Sequence, residues 1–299
     1  MLNAAALASL VGSIVVLVLF ATDSRELLGV SVWEKPLKFL ISATFYATTF
    51  SWLYTFVEKG KGLASKMGNV IALMLIVELV VIVGMASVGS TSHFNVSTPF
   101  NIAIWSLMAT AISIVWLATF SLSTGLWNSQ IMSADLRLAV RWSIGLGLAG
   151  MGIAFTMTPP QPQQVLPENW AGIAGAHTVG AADGGPGLPF LGWSTQAGDL
   201  RISHFLGLHA LQVLPLIAVV SSILVTNYFV RRAIIMGAGV AYALLIAFTY
   251  VQALLGETIV QPSTLIFLGI ILIVGMLSTG FSLFRSRKDE TLKTRARVS

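Results

Sequence analysis

Eight long apolar segments take up most of this chain, and they constrain its fold more than any other feature. Each holds about 20 residues or more, the length that a helix needs to cross a hydrocarbon core of about 30 Å. Backbone polar groups must be satisfied internally in lipid, so such segments predict helices. The predicted spans are residues 4–21, 33–57, 68–87, 99–122, 138–157, 202–226, 233–255 and 263–284. The sequence therefore predicts an all-α integral membrane protein with eight transmembrane helices.

The distribution of Lys and Arg predicts how these helices are oriented. Thirteen of the 17 basic residues lie after spans two, four and six or in the C-terminal tail. The other four, in or beside the remaining gaps, are Arg25, Lys35, Lys38 and Arg201. Basic loops stay on the cytoplasmic side of a membrane, so both termini are predicted to be cytoplasmic. We predict a multi-pass protein of a bacterial-type inner (cytoplasmic) membrane.

Composition limits the partners and the chemistry. Charged residues make up only 10% of the chain, and the net charge of +5 comes from the predicted cytoplasmic segments, so it does not indicate nucleic-acid binding. The predicted partners are the lipid bilayer and a small-molecule ligand, and the oligomeric state stays open. The chain contains no cysteine, which excludes disulfides, thiolate nucleophiles and Cys-ligated iron–sulfur clusters.

The longest connection between spans is residues 158–200, on the predicted outer side. Its prolines and glycines interrupt both helix and strand, while aromatic residues such as Trp170 and Trp193 give it apolar material for packing. These features predict an ordered cap over the outer mouth of the bundle. The predicted organisation is a transmembrane domain over residues 1–284, which includes this cap, followed by a basic cytoplasmic tail over residues 285–299.

The starts of several spans are similar to one another. Spans four and eight begin at Pro99 and Pro262, and spans two and six both begin with charged residues followed by an apolar run. This similarity suggests a 4+4 parallel repeat, in which two four-helix halves are related by an axis along the membrane normal. Chance similarity among helix starts is the alternative.

Apart from Arg141 at the cytoplasmic end of span five, the charged and imidazole residues inside the predicted spans lie in the outer halves. Charge there is costly unless it faces the bundle interior. Glu78 is near the middle of span three, and Lys38 is in the first two turns of span two. We expect an ion pair between them, or a neutral Glu78. As predicted catalytic residues, Glu78 is a proton carrier and Lys38 an anion partner; a structural ion pair is the alternative. Lys35 is expected to extend towards the outer headgroups.

Three histidines are predicted to lie at neighbouring helix mouths on the outer side: His93, His204 and His209. Imidazole nitrogens bind transition metals and haem iron, so these are the predicted metal- and cofactor-binding residues, with haem or a transition metal as the candidate cofactor. Simple hydrogen bonding to a neighbouring helix is the alternative. Arg201 is predicted to bind an anion such as a carboxylate or a haem propionate. His177, in the long loop, is expected to be a surface residue.

Eight spans, cytoplasmic termini, a 4+4 repeat and outer-side histidines together resemble the architecture of haem A synthase. That family carries histidines on several helices of each half, whereas spans two and eight contain none here. The resemblance therefore extends to the architecture alone. The leading prediction is a haem- or metal-linked membrane oxidoreductase. The alternatives are a secondary transporter, channel or sensor for a small, anionic solute, and a metal-dependent intramembrane hydrolase, so whether the protein is an enzyme stays open.

Overall fold

The computed structural model describes the backbone of residues 1–298 and the side chains of residues 1–162, 164–168 and 170–284. Within these residues the chain forms eight long helices: α1 (Leu2–Thr22), α2 (Glu34–Tyr54), α3 (Lys61–Ser87), α4 (Pro99–Thr124), α5 (Ala134–Ile153), α6 (Leu200–Leu224), α7 (Tyr228–Leu254) and α8 (Pro262–Val298). Short elements lie between them: strands β1 (Glu26–Leu27), β2 (Val30–Ser31), β3 (Thr178–Val179) and β4 (Gly198–Asp199), and 3-10 helices at Ala154–Met157, Pro162–Val165 and Pro167–Asn169.

The all-α membrane class predicted from the sequence is confirmed. In the described part of the chain, seven helices are long and apolar enough to cross a membrane. The remaining long helix is α2, which carries Glu34, Lys35 and Lys38 within its first five residues. The number of membrane crossings, the repeat and the orientation stay predictions. Helix α8 continues to Val298, through the predicted tail, whose side chains lie outside the described residues.

Short polar side chains mark where several helices begin, because the first backbone N–H groups of a helix have no partner within it. Thr98 accepts a hydrogen bond from the backbone N–H of Asn101 at the start of α4, where Pro99 follows as the first helical residue. Ser133 caps α5 in the same way. Asp199 caps α6 by accepting from the backbone N–H of Arg201. These local signals place the helix starts close to the predicted ones.

The helices pack as two sets of four. In α1–α4, contacts join the first helix to the second, the second to the third, the third to the fourth and the first to the third, and the same four pairs recur in α5–α8. This recurrence agrees with the predicted repeat without establishing it. The sets meet mainly where α4 contacts α5 and α2 contacts α6. Gln212 on α6 donates to the Thr49 hydroxyl on α2 across this boundary, at 3.0 Å.

The helices α5 and α6 form the most extensive contact between any two elements of the described chain. Glycine makes their crossing possible: a Cβ atom placed on Gly207 would lie 2.3 Å from Cα of Gly150. His204 on α6 lies beside this crossing, with its ring Nδ1 2.7 Å from the carbonyl oxygen of Gly150. The backbones therefore approach closely at a point where no side chain fits between them.

The two ends of the bundle differ. At one end, called here the loop-capped end, Arg25 after α1 donates to the carbonyl of Ser87 at the end of α3, and residues 158–199 cover neighbouring helix ends. At the other, the basic end, the Glu58 carboxylate after α2 accepts from the backbone N–H groups of Gln130 and Ile131, both at 2.6 Å.

The segment of residues 158–199 is hydrogen-bonded to both sets of helices, as expected for an ordered cap. Gly172 accepts from the backbone N–H of Val96 before α4. A hairpin turn within the segment, residues 186–195, is closed by a backbone hydrogen bond from Thr195 to Pro186. The side chain of Thr258, after α7, donates to the carbonyl of Ser194 in this turn, at 3.2 Å. The segment is therefore part of the folded structure.

Candidate functional site

Most of the charged and imidazole side chains at the loop-capped end lie within electrostatic range of one another. They come from the start of α2, the middle of α3, the loop before α4, the long loop and the start of α6. We call them the outer cluster, which comprises Glu34, Lys35, Lys38, Glu78, His93, His177, Asp183, Asp199 and Arg201. Residues that are far apart in sequence thus form one site beneath the hairpin turn of residues 186–195.

Lys38 pairs with a carboxylate of its own helix. Its ammonium is 2.6 Å from the Glu34 carboxylate, one helical turn earlier. It also donates to the carbonyl oxygens of Phe190 and Leu191 in the hairpin turn, at 3.0 and 3.1 Å. The expected ion pair between Lys38 and Glu78 is therefore wrong. Lys38 instead ties the start of α2 to the loop above it.

Arg201 is held by Asp199, and the two also fasten the hairpin turn. The guanidinium is 2.6 Å from the Asp199 carboxylate, which is only 1% exposed, and it donates to the carbonyl of Gly192 at 2.5 Å. Burial alone would raise the pKa of Asp199, but the hydrogen bonds and charge of Arg201 outweigh it and keep that pKa below its ordinary value. The positive charge of Arg201 is thus already compensated within the protein.

His177 is part of the cluster, and the expectation that it is a surface residue is wrong. Its ring Nδ1 is 3.1 Å from the Asp183 carboxylate, which also accepts from the backbone N–H groups of His177 and Thr178. Burial, followed by the charge of Arg201, lowers the pKa of His177 to about 4. The ring is therefore neutral near pH 7, and its Nδ1–H donates to Asp183, which fixes the tautomer.

Lys35 differs from the other cations of the cluster because its nearest partner is an imidazole. Its ammonium lies 3.1 Å from Nδ1 of His93, and the Ser92 hydroxyl lies 2.9 Å from the same nitrogen. An ammonium can only donate, so this nitrogen accepts and the proton of a neutral ring is on Nε2. Burial, and then the charge of Lys35, lowers the pKa of His93 well below its ordinary value. Lys35 thus points into the protein, and its expected extension towards headgroups is wrong.

Glu78 is the deepest member of the cluster. It lies nine residues before the end of α3, or roughly 13 Å along the helix axis at 1.5 Å per residue, and is 6% exposed. Among the residues that the structure describes, its Oε1 atom has no hydrogen-bond partner. The charge that acts on it most directly is that of Lys35. Its carboxyl group is thus an incompletely satisfied polar group inside the bundle.

The three histidines predicted as metal ligands do not form one ligand group. His93 contacts Lys35, whereas His204 contacts the carbonyl of Gly150, and the ring of His209 packs on Phe205 with centroids 4.2 Å apart. Across the described residues, no group of three or more His, Asp or Glu side chains is arranged to hold a metal ion. His204 and His209 lie near each other on α6, separately from the His93 site.

Two features of the site were missed by sequence reasoning. Lys35 was assigned to the membrane surface because it is in the first turn of its helix, yet that helix start is covered by the loop. Asp183 was overlooked and His177 was predicted to be at the surface, because a loop has no periodicity from which contacts are inferred. Asp183 does precede two glycines, a pattern typical of a turn that folds back on the preceding residues.

This fold and this cluster define a multi-pass α-helical protein of a lipid bilayer, with charged groups gathered beneath a loop at one end. Comparison with protein-family models, with curated proteins and with solved structures finds no match to this chain. The function of the protein is therefore inferred from the site itself.

Proposed function

We propose that this protein binds a small anionic solute at the outer cluster and carries it across the membrane, as a secondary transporter does. The observation that carries the proposal is the uncompensated charge of Lys35. Lys38 and Arg201 each have a carboxylate at 2.6 Å. Within the described part of the chain, Lys35 has no carboxylate within ion-pair distance and contacts the neutral ring of His93.

The surroundings of Lys35 suit an anion better than a cation or a neutral solute. Charge inside a protein is costly unless an opposite charge compensates it. At Lys35 the largest effect of a nearby charge is the positive potential of Arg201, ahead of the negative potentials of Glu78 and Asp183. The neutral ring of His93 orients the ammonium, and its Nε2–H is a second possible donor. Carboxylate and phosphate oxygens accept such hydrogen bonds strongly. A small carboxylate, phosphate or sulfate matches this chemistry.

The distribution of basic residues supports an orientation with the outer cluster facing away from the cytoplasm. Lys59, Lys61, Arg137 and Arg231 lie beside the helix ends of the basic end, which by the positive-inside rule faces the cytoplasm. A solute would then bind from outside, beneath the hairpin turn. Passage to the other side requires the two sets of helices to move relative to each other, which their limited mutual contact favours.

The test is anion binding by the purified, detergent-solubilised protein. Titration calorimetry with acetate, succinate, inorganic phosphate and sulfate should find at least one anion that binds. Lys35→Met should weaken that binding by about tenfold to a hundredfold, the usual effect of losing a hydrogen bond to a charged group. Lys66→Met is the matched control, because Lys66 is an exposed lysine of α3 near the basic end. Uptake of the bound anion into proteoliposomes then tests transport.

Two results would overturn the proposal: none of these anions binds to wild-type protein, or Lys35→Met binds as tightly as wild type does. No described carboxylate forms an ion pair with Lys35, so Lys35→Met leaves no carboxylate unpaired. The variant should therefore still purify as a monodisperse protein. A wild-type protein that binds the anion but does not accumulate it in proteoliposomes would favour a sensor over a transporter.

A haem-linked oxidoreductase is the second candidate, and one observation favours it. His204 donates its Nδ1–H to the carbonyl of Gly150, which leaves the Nε2 lone pair as the ligating atom. Histidine ligands of metals usually have their other ring nitrogen fixed in this way. The absorbance spectrum of purified protein tests it: a Soret band that His204→Ala removes and His177→Ala retains would support haem, and a colourless wild-type protein would exclude it.

A further inference from the structure

In the described residues, two cations of the outer cluster have a carboxylate at ion-pair distance. Glu34 compensates Lys38, Asp199 compensates Arg201, and Asp183 holds the neutral ring of His177. In the described residues, Lys35 and Glu78 remain without an ion-pair partner at short range. They act on each other at longer range. With no anion bound, the charge of Lys35 is therefore balanced only at longer range, by Glu78 and then by Asp183, whose partner His177 is neutral.

The helices packed around Glu78 supply few ionisable groups. α3 packs against α4, α2 and α1, and neither α1 nor α4 contains an Asp, Glu, Lys, Arg or His residue. From α2 the charge that acts on Glu78 is Lys35, whose ammonium contacts His93 of the loop before α4. The lysines of α3 itself, Lys61 and Lys66, are at its opposite end. The state of Glu78 therefore follows the net charge at Lys35.

An anion that binds to Lys35 removes the positive charge that stabilises an ionised Glu78. Two negative charges would then act on each other in a poorly hydrated region, which favours protonation of the carboxylate. The unsatisfied Oε1 atom of Glu78 can carry that proton without breaking an existing hydrogen bond. Protonation also restores the charge of the site to the value that it had before the anion arrived.

We propose that Glu78 is a proton-binding site coupled to the anion at Lys35, so that one proton is taken up with each anion. This inference rests on the proposed function and adds the proton as the co-substrate. By linkage, anion binding favours protonation of Glu78 to the same extent that protonation favours anion binding. The atom balance is simple: one proton from solution forms an O–H bond on the Glu78 carboxylate, and it leaves when the anion leaves.

The Lys35 amine and the two imidazoles are the competing proton sites. Proton uptake on Lys35 would persist in Glu78→Gln, and the geometry of the imidazoles separates them from Glu78. His93 accepts from Lys35 through Nδ1, and His177 donates to Asp183. Neither ring therefore has to gain or lose a proton when the anion binds.

The experiment measures anion affinity and proton uptake together in the full-length protein. Calorimetry of the anion identified above, in buffers of different ionisation enthalpy, gives the number of protons taken up per anion. Between about pH 6 and about pH 9.5, the wild-type Kd should be flat at low pH and then rise about tenfold per pH unit once Glu78 is ionised. In that upper range, about one proton should be taken up per anion.

The variant Glu78→Gln mimics the protonated carboxyl group and should bind the anion with no proton uptake and a flat Kd across this pH range. Glu26→Gln is the matched control, because Glu26 is an exposed carboxylate of β1, after α1, outside the outer cluster, and it should keep the proton uptake. Persistent proton uptake in Glu78→Gln, or none in wild type at any pH, would overturn the inference while leaving anion binding at Lys35 intact. Failure of the wild type to bind any anion would instead remove the proposed function.

Discussion

The crossing of α5 and α6 provides the sharpest test of the fold, and Gly207→Ala is the perturbation. The added Cβ would lie 2.3 Å from Cα and 3.0 Å from the backbone nitrogen of Gly150. Carbon atoms in contact are normally about 3.5–4.0 Å apart. A backbone atom cannot turn aside as a side chain can, so the two helices must separate by roughly 1 Å or more.

The free-energy cost has two parts. Overpacking of a well-packed contact typically costs about 1–3 kcal/mol. Separation of the helices also weakens the hydrogen bond from His204 to the carbonyl of Gly150, now 2.7 Å long, and interhelical hydrogen bonds in membranes contribute about 0.6 kcal/mol on average. We therefore expect Gly207→Ala to lower the free energy of unfolding by about 2–4 kcal/mol.

The assay is thermal unfolding of purified protein in detergent, with Gly145→Ala as the matched control. Gly145 is also a helical glycine, on α5, but a Cβ placed there would meet no described atom within 4 Å. Alanine favours a helix over glycine by about 1 kcal/mol, so the control should melt at or above the wild-type temperature. The reasoning would be refuted if Gly207→Ala were as stable as Gly145→Ala.

Three further predictions address the buried ion pair of the basic end, the pH dependence and the topology. Asp135 is 5% exposed and lies 2.7 Å from Arg231, so Arg231→Met should lower the free energy of unfolding by about 3–5 kcal/mol. The double variant with Asp135→Leu should recover most of that loss. Equal losses in the single and double variants would show that the two residues do not interact. The pKa of His177 is lowered to about 4 in the folded protein, below an unfolded value near 6.5. The folded state therefore binds fewer protons than the unfolded one, so stability should be full above about pH 6.5 and fall towards about pH 4, with a smaller fall in His177→Gln; identical pH profiles would contradict this. A topology reporter fused after Val298 should be located on the cytoplasmic side, and one inserted near Gly184 should be located outside. Finding both reporters on one side would rule out the proposed orientation.

The sequence predicted the helices of this protein well, and its predictions about the site were mixed. The predicted span of residues 99–122 corresponds to α4 (Pro99–Thr124), because length and apolar character are local properties and Thr98-Pro99 is a local start signal. The polar residues at the loop-capped end were also identified. Their partners were not: Lys38 was expected to meet Glu78, and the structure pairs it with Glu34.

The difference between Lys35 and Lys38 shows why partners could not be predicted. Three residues apart, they are separated by about 60° around the same helix, so a modest rotation of α2 decides which one faces Glu78. That rotation is set by the packing of α2 against α1 and α3, which involves apolar side chains spread around the helix.

The sequence by itself determined the membrane class, the positions of the helices and the lack of cysteine chemistry, because each follows from composition within a continuous segment. Only the tertiary structure decided that Lys35 faces His93, and that a loop histidine and Asp183 join a cluster built by three helices. Charges in a bundle interior are stabilised by whichever groups lie within a few ångströms. Those groups come from segments distant in sequence, and their approach depends on helix rotation and on glycine contacts such as that of Gly150 with Gly207.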